Sequence, residues 1–240
     1  MPDSRFSFFG YDVDTTSRFS FGLVSTEGDS FDATSGQFSS RGTFFSYTMK
    51  ASDNVKFSVT SSMLDEKNMA LGSQSTGYLS LASEASSTSY GFGSEIKFAD
   101  GYSLGFDAAY ATTETQDSSK SLISDVSTLQ SYSFSVALAK KDMAVKGDKL
   151  GVQISKPLRV YSGSANVTMT TGVDGSGNPV TETRRVSLVP DGNETDINFS
   201  YNRPLGEDIT GSLSLTARDD ADNIRGARDV AGMFKVKFSY

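Results

Sequence analysis

The sequence predicts an all-β protein, namely an antiparallel transmembrane β-barrel of about twelve strands. Two observations predict this fold. Apolar and polar residues alternate with a period of two through most of the 240 residues, which indicates strands with one apolar face. The second face consists mainly of small polar residues, as expected for a wall between lipid and a polar lumen.

The alternation is clearest between residues 131 and 139. Tyr132, Phe134, Val136 and Leu138 alternate there with serines and alanines. A water-soluble sandwich also alternates, but it needs a bulky packed core on one side of each strand. Here Phe, Tyr, Leu and Val oppose Ser, Thr, Gly, Ala, Asn and Asp, and an inverted arrangement explains both faces. We therefore expect these four residues to face lipid.

Twelve segments show the pattern of strands, and twelve lies within the even-numbered range of single-chain bacterial barrels. They are 17–25, 42–50, 54–62, 88–98, 101–112, 129–141, 148–156, 163–171, 180–188, 194–203, 208–218 and 229–240. Residues 17–240 form the expected barrel, and residues 1–16 are either a tail or an extra strand. In a closed barrel the last strand must pair with the first, near 17–25.

The connections between these strands alternate in length. With the C-terminus placed in the periplasm, the tight connections fall on the periplasmic side and the long segments fall outside, as expected of outer-membrane barrels. The tight ones are 50–54, 98–101 and 203–208, and the long ones are 26–41, 63–87, 113–128 and 219–228. Two connections fit less well: 171–179 is long for a periplasmic turn, and 189–193 is short for an outer loop.

The composition excludes several function classes. The chain has no histidine and no cysteine, so a Ser-His-Asp triad, His-ligated zinc and thiolate metal sites are excluded within it. The net charge of −7 argues against a nucleic-acid partner. We expect neither enzymatic activity nor a cofactor nor a metal site, and we interpret the acidic segment 219–223 as a solvated outer loop.

Charged residues on the small-residue face are expected to point into the lumen. They are Lys56, Glu95, Lys97, Asp107, Arg184, Asp196, Lys235 and Lys237. Such residues could tune ion selectivity, as rings of charge do in pores, or form a network of salt bridges that rigidifies the barrel. The two roles are not exclusive, and the sequence leaves both open.

The C-terminal half resembles a known family. The similarity rests on five segments in order, of which SKPLR at 155–159 is the most specific. They are SFSVALAK (133–140), DKLGVQISKPLRVYSG (148–163), RVSLVP (185–190), ETDINFSYNRPLG (194–206) and VAGMFKVKFSY (230–240). Together they resemble the autotransporter-like C-terminal barrel domain of alphaproteobacterial subtilisin-like serine peptidases. The first half resembles this family only in its general sequence pattern, without specific matching segments.

The resemblance implies a location in the outer membrane of a Gram-negative bacterium. The implied function is membrane anchor and translocator, with outer-membrane lipid, the barrel-assembly machinery and a passenger domain as partners. It also implies that the stripe Phe234, Val236, Phe238 and Tyr240 is the signal read by the assembly machinery. Two alternatives stay open: a free-standing small porin-like channel, and a structural barrel that binds a partner through its outer loops.

Overall fold

The computed structural model describes residues 3–29, 37–71, 77–206 and 208–238. Antiparallel strands dominate this part of the chain, and the helical segments within it are three-residue 3₁₀ turns. The expectation of an all-β, antiparallel protein is therefore confirmed.

Eleven strands form one antiparallel sheet, hereafter the main sheet. They are β1 (Asp3–Asp12), β2 (Ser17–Asp29), β3 (Gln37–Ser52), β4 (Val55–Lys67), β5 (Glu84–Lys97), β6 (Tyr102–Gln116), β8 (Leu129–Lys141), β9 (Lys149–Ser162), β12 (Thr195–Pro204), β13 (Ile209–Asp219) and β14 (Arg228–Phe238). Apart from the segments between β6 and β8 and between β9 and β12, neighbours in the sheet follow one another along the chain.

A smaller sheet contains the remaining three strands, β7 (Ile123–Ser124), β10 (Ser164–Val173) and β11 (Pro179–Ser187), in the order β11-β10-β7. Two of the twelve expected strands, at 163–171 and 180–188, therefore lie outside the main sheet. The physical reason is that β9 pairs directly with β12, so no edge is left between them for β10 or β11. The connection from β11 to β12 is held against β9 by Arg159, whose guanidinium donates hydrogen bonds of 2.8 Å to the carbonyls of Pro190 and Gly192.

The two edges of the main sheet are β1 and β14, and they do not pair with each other within the described residues. Residues 1–16, expected as a tail or an extra strand, contain β1. The strand at 17–25 is consequently not an edge, because β2 pairs with β1 on one side and with β3 on the other. Since all neighbours are antiparallel and the sheet has eleven strands, β1 and β14 run in the same direction.

Short and long connections separate to opposite ends of the main sheet. The connections at the short-turn end are 13–16, 53–54, 98–101, 142–148 and 205–208, and those at the long-loop end are 30–36, 68–83, 117–128, 163–194 and 220–227. Segments 171–179 and 189–193, which fitted the expected alternation poorly, both belong to the excursion 163–194 and are not turns of the main sheet.

A row of directly paired residues shifts in position from strand to strand, from one end of the main sheet to the other. The row of partners that begins at Ser17, the first residue of β2, continues through Phe106 and ends at Val230, near the start of β14. Ser17 lies at the short-turn end and Val230 at the long-loop end. The strands are therefore staggered in one direction, which is the offset that closing a sheet into a barrel requires.

The described residues contain no packed core of bulky apolar side chains. Their buried apolar residues are six alanines and Leu129. A water-soluble sandwich of this size would bury its Phe, Leu, Ile and Val side chains between two sheets. Here most of the bulky apolar side chains of the main sheet lie on one exposed face.

Candidate functional site

The first candidate surface is the apolar face, the side of the main sheet that carries Tyr132, Phe134, Val136 and Leu138. One row of register partners on this face reads Tyr11, Phe19, Tyr47, Val59, Phe92, Ala108 and Phe134. The face continues through Ile154 and Ile197 to Val230 of β14. It spans all eleven strands, and an apolar surface of that extent marks contact with an apolar environment or partner.

Side chains on this face are exposed although they are large and apolar. Val59, Leu138 and Ile197 are 55%, 50% and 52% exposed. Toward the long-loop end the face becomes charged, with an Arg41–Glu27 ion pair of 3.6 Å. At the short-turn end the Lys140 ammonium lies 4.0 Å from the centre of the Tyr102 ring. The apolar face is thus a band with polar margins.

The opposite side of the main sheet is the polar face. A complete row of partners on it reads Asp12, Arg18, Thr48, Ser58, Gly93, Asp107, Ser135, Ser155, Asp196, Arg218 and Asp229. Side chains here are mainly small. At Gly93 an added Cβ would lie 2.6 Å from the Ser58 hydroxyl and 2.8 Å from an Asp107 carboxylate oxygen. A side chain at position 93 would therefore force the ends of these two side chains to shift.

The polar face is concave. A cavity of about 340 Å³ is lined by polar-face residues from five consecutive strands of the main sheet, including Lys56 of β4 and Lys149 of β9. Along β5 and β8 every polar-face residue except Lys97 and Lys141 is buried or half-buried, whereas bulky apolar-face residues such as Phe92, Val136 and Leu138 are exposed. Side chains on the inner side of a curved sheet shield one another from solvent, so the inner side of the main sheet is the polar face.

Seven of the eight charged residues expected to face a lumen share the polar face: Lys56, Glu95, Lys97, Asp107, Asp196, Lys235 and Lys237. The eighth, Arg184, lies in β11, outside the main sheet, where its guanidinium pairs with Glu182 at 2.8 Å. Residues 179–187 alternate with a period of two as the main strands do, so the alternation alone could not show that this strand lies outside the main sheet.

Ion pairs on the polar face involve arginine. Arg18 lies 3.7 Å from Asp12, and Arg218 contacts Asp229 and Asp222. Arg218 also lies 3.9 Å from Glu194, which is buried at the long-loop end. Burial, followed by the neighbouring Asp196 carboxylate, raises the pKa of Glu194. The lysines of the main sheet form no ion pair with another described residue.

Sequence reasoning missed an aromatic cluster on the polar face. The rings of Phe6, Phe8 and Phe44 stack with centroid distances of 6.1–6.4 Å. Phe44 covers Gly22, where an added Cβ would lie 2.0 Å from the ring. The available signal was RFSFFGY at 5–11, which places aromatic residues on both faces of one strand and thereby breaks the amphipathic pattern.

In the stripe expected as an assembly signal, Phe234, Val236 and Phe238 lie on the apolar face of β14, and Tyr240 lies outside the described residues.

None of the described residues forms a helix long and apolar enough to cross a membrane. They also contain no group of three or more acidic side chains placed to hold a metal ion. No family model, curated protein or solved structure matches the chain.

Proposed function

We propose that the main sheet is the wall of an outer-membrane β-barrel, and that this barrel is the membrane anchor and translocator of an autotransporter-like protein. The observation that carries the membrane assignment is the apolar face. It is continuous across eleven strands, its bulky side chains are exposed, and the buried apolar residues of the described chain are almost all alanine. Lipid is the environment in which such a surface is stable.

Two further features support a barrel. The one-directional stagger of the strands is the geometry that closure needs, and the concave side of the sheet is polar. The proposal requires β1 and β14, the two unpaired edges of the sheet, to close it, because unpaired backbone groups there would each cost several kcal/mol in lipid. The anchor and translocator role rests on the resemblance of residues 133–240.

The second candidate function is a free-standing channel, and the concave polar face with its 340 Å³ cavity favours it. Both functions share the same membrane wall. They differ in whether a folded passenger is attached, so the sequence of the full-length precursor separates them.

The membrane assignment is tested by refolding the purified chain from denaturant in the presence of liposomes. We expect the protein to float with the liposomes in a density gradient and to migrate differently on gel electrophoresis before and after heating. Recovery of a monodisperse, folded monomer in buffer without detergent or lipid would overturn it.

A further inference from the structure

A group of lysines lies on the polar face close to the short-turn end. Lys50 of β3 and Lys56 of β4 are direct cross-strand partners. Lys141 of β8 and Lys149 of β9 form a second such pair. Lys97 of β5 lies on the same face, two residues after Glu95, which is the cross-strand partner of Lys56. All five side chains are exposed.

These pairs are unfavourable for the sheet itself. Like charges directly opposite each other on neighbouring strands destabilise the pairing, and none of these lysines forms an ion pair with a described residue. Glu95 is opposite Lys56, and Asp107 lines the same cavity as Lys56 and Lys149, so two carboxylates of the strands face this group. The two like-charged pairs lie at the same end of one face, separated by β5 and β6, and each weakens the pairing of its own two strands.

One lysine of each pair lines the same cavity. Lys56 and Lys149 line one cavity although their strands are four apart in the sheet. The turn carboxylate of Asp148 is engaged elsewhere, since it accepts the backbone N–H groups of residues 143–145 and the Tyr201 hydroxyl. Asp53 lines a small cavity together with Lys50, Lys56 and Lys97 but forms no ion pair with them. The ammonium groups therefore remain available to a ligand.

We propose that Lys50, Lys56, Lys97, Lys141 and Lys149 form an anion-binding site on the polar face, and that it takes phosphate-type anions of charge two or more. A multivalent anion between two ammonium groups removes their mutual repulsion and forms charge-assisted hydrogen bonds. The site rests on the proposed function only in that the polar face must be accessible to the anion. Both an inorganic phosphate and the headgroup of an anionic lipid offer this chemistry.

The test uses the full chain folded in an uncharged maltoside detergent, with inorganic pyrophosphate as the probe and calorimetry at low salt as the readout. We expect K50Q/K56Q and K141Q/K149Q each to weaken binding about tenfold. The control K67Q/K120Q removes the same charge from two exposed lysines toward the long-loop end and should bind like the parent chain. Equal weakening in all three variants, or no binding by the parent chain, overturns the proposal.

A second readout separates loss of the site from loss of the fold. Because repulsion is relieved, K50Q/K56Q should unfold at an equal or higher denaturant concentration than the parent chain while binding less pyrophosphate. Weaker binding together with lower stability would overturn the site. Competition by added phosphatidylglycerol assigns the site to lipid headgroups, and its absence assigns the site to soluble anions. Flotation with liposomes is independent of these outcomes, so a failed site and a failed membrane assignment are distinguishable.

Discussion

The main sheet and the three-stranded sheet are built from strands that look alike in sequence but differ in their surroundings. Both alternate with a period of two. In the main sheet the apolar residues of each strand meet apolar residues of the next, across eleven strands. In the three-stranded sheet β11 is exposed along its whole length, and the cross-strand contacts are polar, such as the 2.9 Å hydrogen bond between the Thr168 and Thr183 hydroxyls.

If the main sheet faces lipid as proposed, this difference is the property that distinguishes a lipid-facing strand from a strand in water. A period of two identifies strands in both sheets. Only in the main sheet does the apolar face of one strand continue into the apolar face of the next. The three-stranded sheet instead uses surface ion pairs, such as the 2.7 Å contact of Arg185 with Asp125. We therefore expect substitutions to behave differently in the two sheets even at residues of similar exposure.

The largest effect should come from charge on the apolar face. Phe134 of β8 and Met169 of β10 are similarly exposed, at 37% and 43%. Phe134→Arg should cost ~2–4 kcal/mol of stability in liposomes because it places a charge in lipid. Met169→Arg should change it by less than ~0.5 kcal/mol, as expected of a residue in water.

Denaturant titration of the liposome-folded protein measures both costs. Ser135→Arg, on the polar face beside the Asp107 carboxylate, is the control within the main sheet and should cost much less than Phe134→Arg. Equal costs at positions 134 and 135 would show that the apolar face does not meet lipid.

The next effect concerns assembly in cells. Phe234, Val236 and Phe238 form the apolar stripe of β14, the last strand. Deletion of residues 238–240 should lower the amount of protein in the outer membrane much more than it lowers the stability of the detergent-folded protein. A variant with the connection 220–227 shortened by three residues is the control, and equal outer-membrane levels for the two would contradict an assembly signal in β14.

The sequence predicted most strands of the main sheet because each of them has one apolar face and one polar face, which produces a period of two in the sequence. It could not predict that β10 and β11 leave this sheet, since that depends on the pairing of β9 with β12, whose partners such as Ile154 and Ile197 lie far apart in the chain. Such long-range register leaves no local signal.

The sequence predicted which face of a strand a single residue occupies. It did not predict which residues of different strands lie opposite each other or share a cavity. Alternation alone assigned Lys56 and Lys235 to the small-residue face. The opposition of Lys50 to Lys56 and of Lys141 to Lys149 depends on register around two turns. The cavity shared by Lys56 and Lys149 depends on the curvature of the sheet. The aromatic cluster around Phe44 was missed because RFSFFGY departs from amphipathic alternation.

Removal of the three-stranded excursion should have a smaller effect. Ser164 and Ser187 are register partners at its base, so residues 165–186 can be replaced by Asn-Gly, the preferred two-residue hairpin turn. The β9–β12 pairing and the Arg159 contacts remain, and we expect stability to change by no more than about 1 kcal/mol. Flotation with liposomes should be unchanged, and its loss would show that the excursion is part of the membrane wall.

The smallest expected effect compares two turn aspartates under acid. Asp148, in the turn between β8 and β9, is buried, which acts to raise its pKa. Hydrogen bonds from three backbone N–H groups and the Tyr201 hydroxyl outweigh burial and hold that pKa below its ordinary value. Asp174, between β10 and β11, has its pKa lowered by hydrogen bonds from Asn178 and then Ser176.

A depressed pKa means that the carboxylate contributes stability above its unfolded pKa, near 4, and that this stability is lost as pH falls through the folded value. Asp148→Asn should therefore lower the stability of the main sheet at neutral pH and flatten its decline below about pH 4. Asp174→Asn should leave both unchanged, because the turn that it supports lies outside the main sheet. Denaturant midpoints between neutral and acidic pH measure the two profiles. An equal response to the two substitutions would mean that the two sheets unfold as one cooperative unit. The main sheet and the three-stranded sheet would then differ in the chemistry of their surfaces but not in their stability.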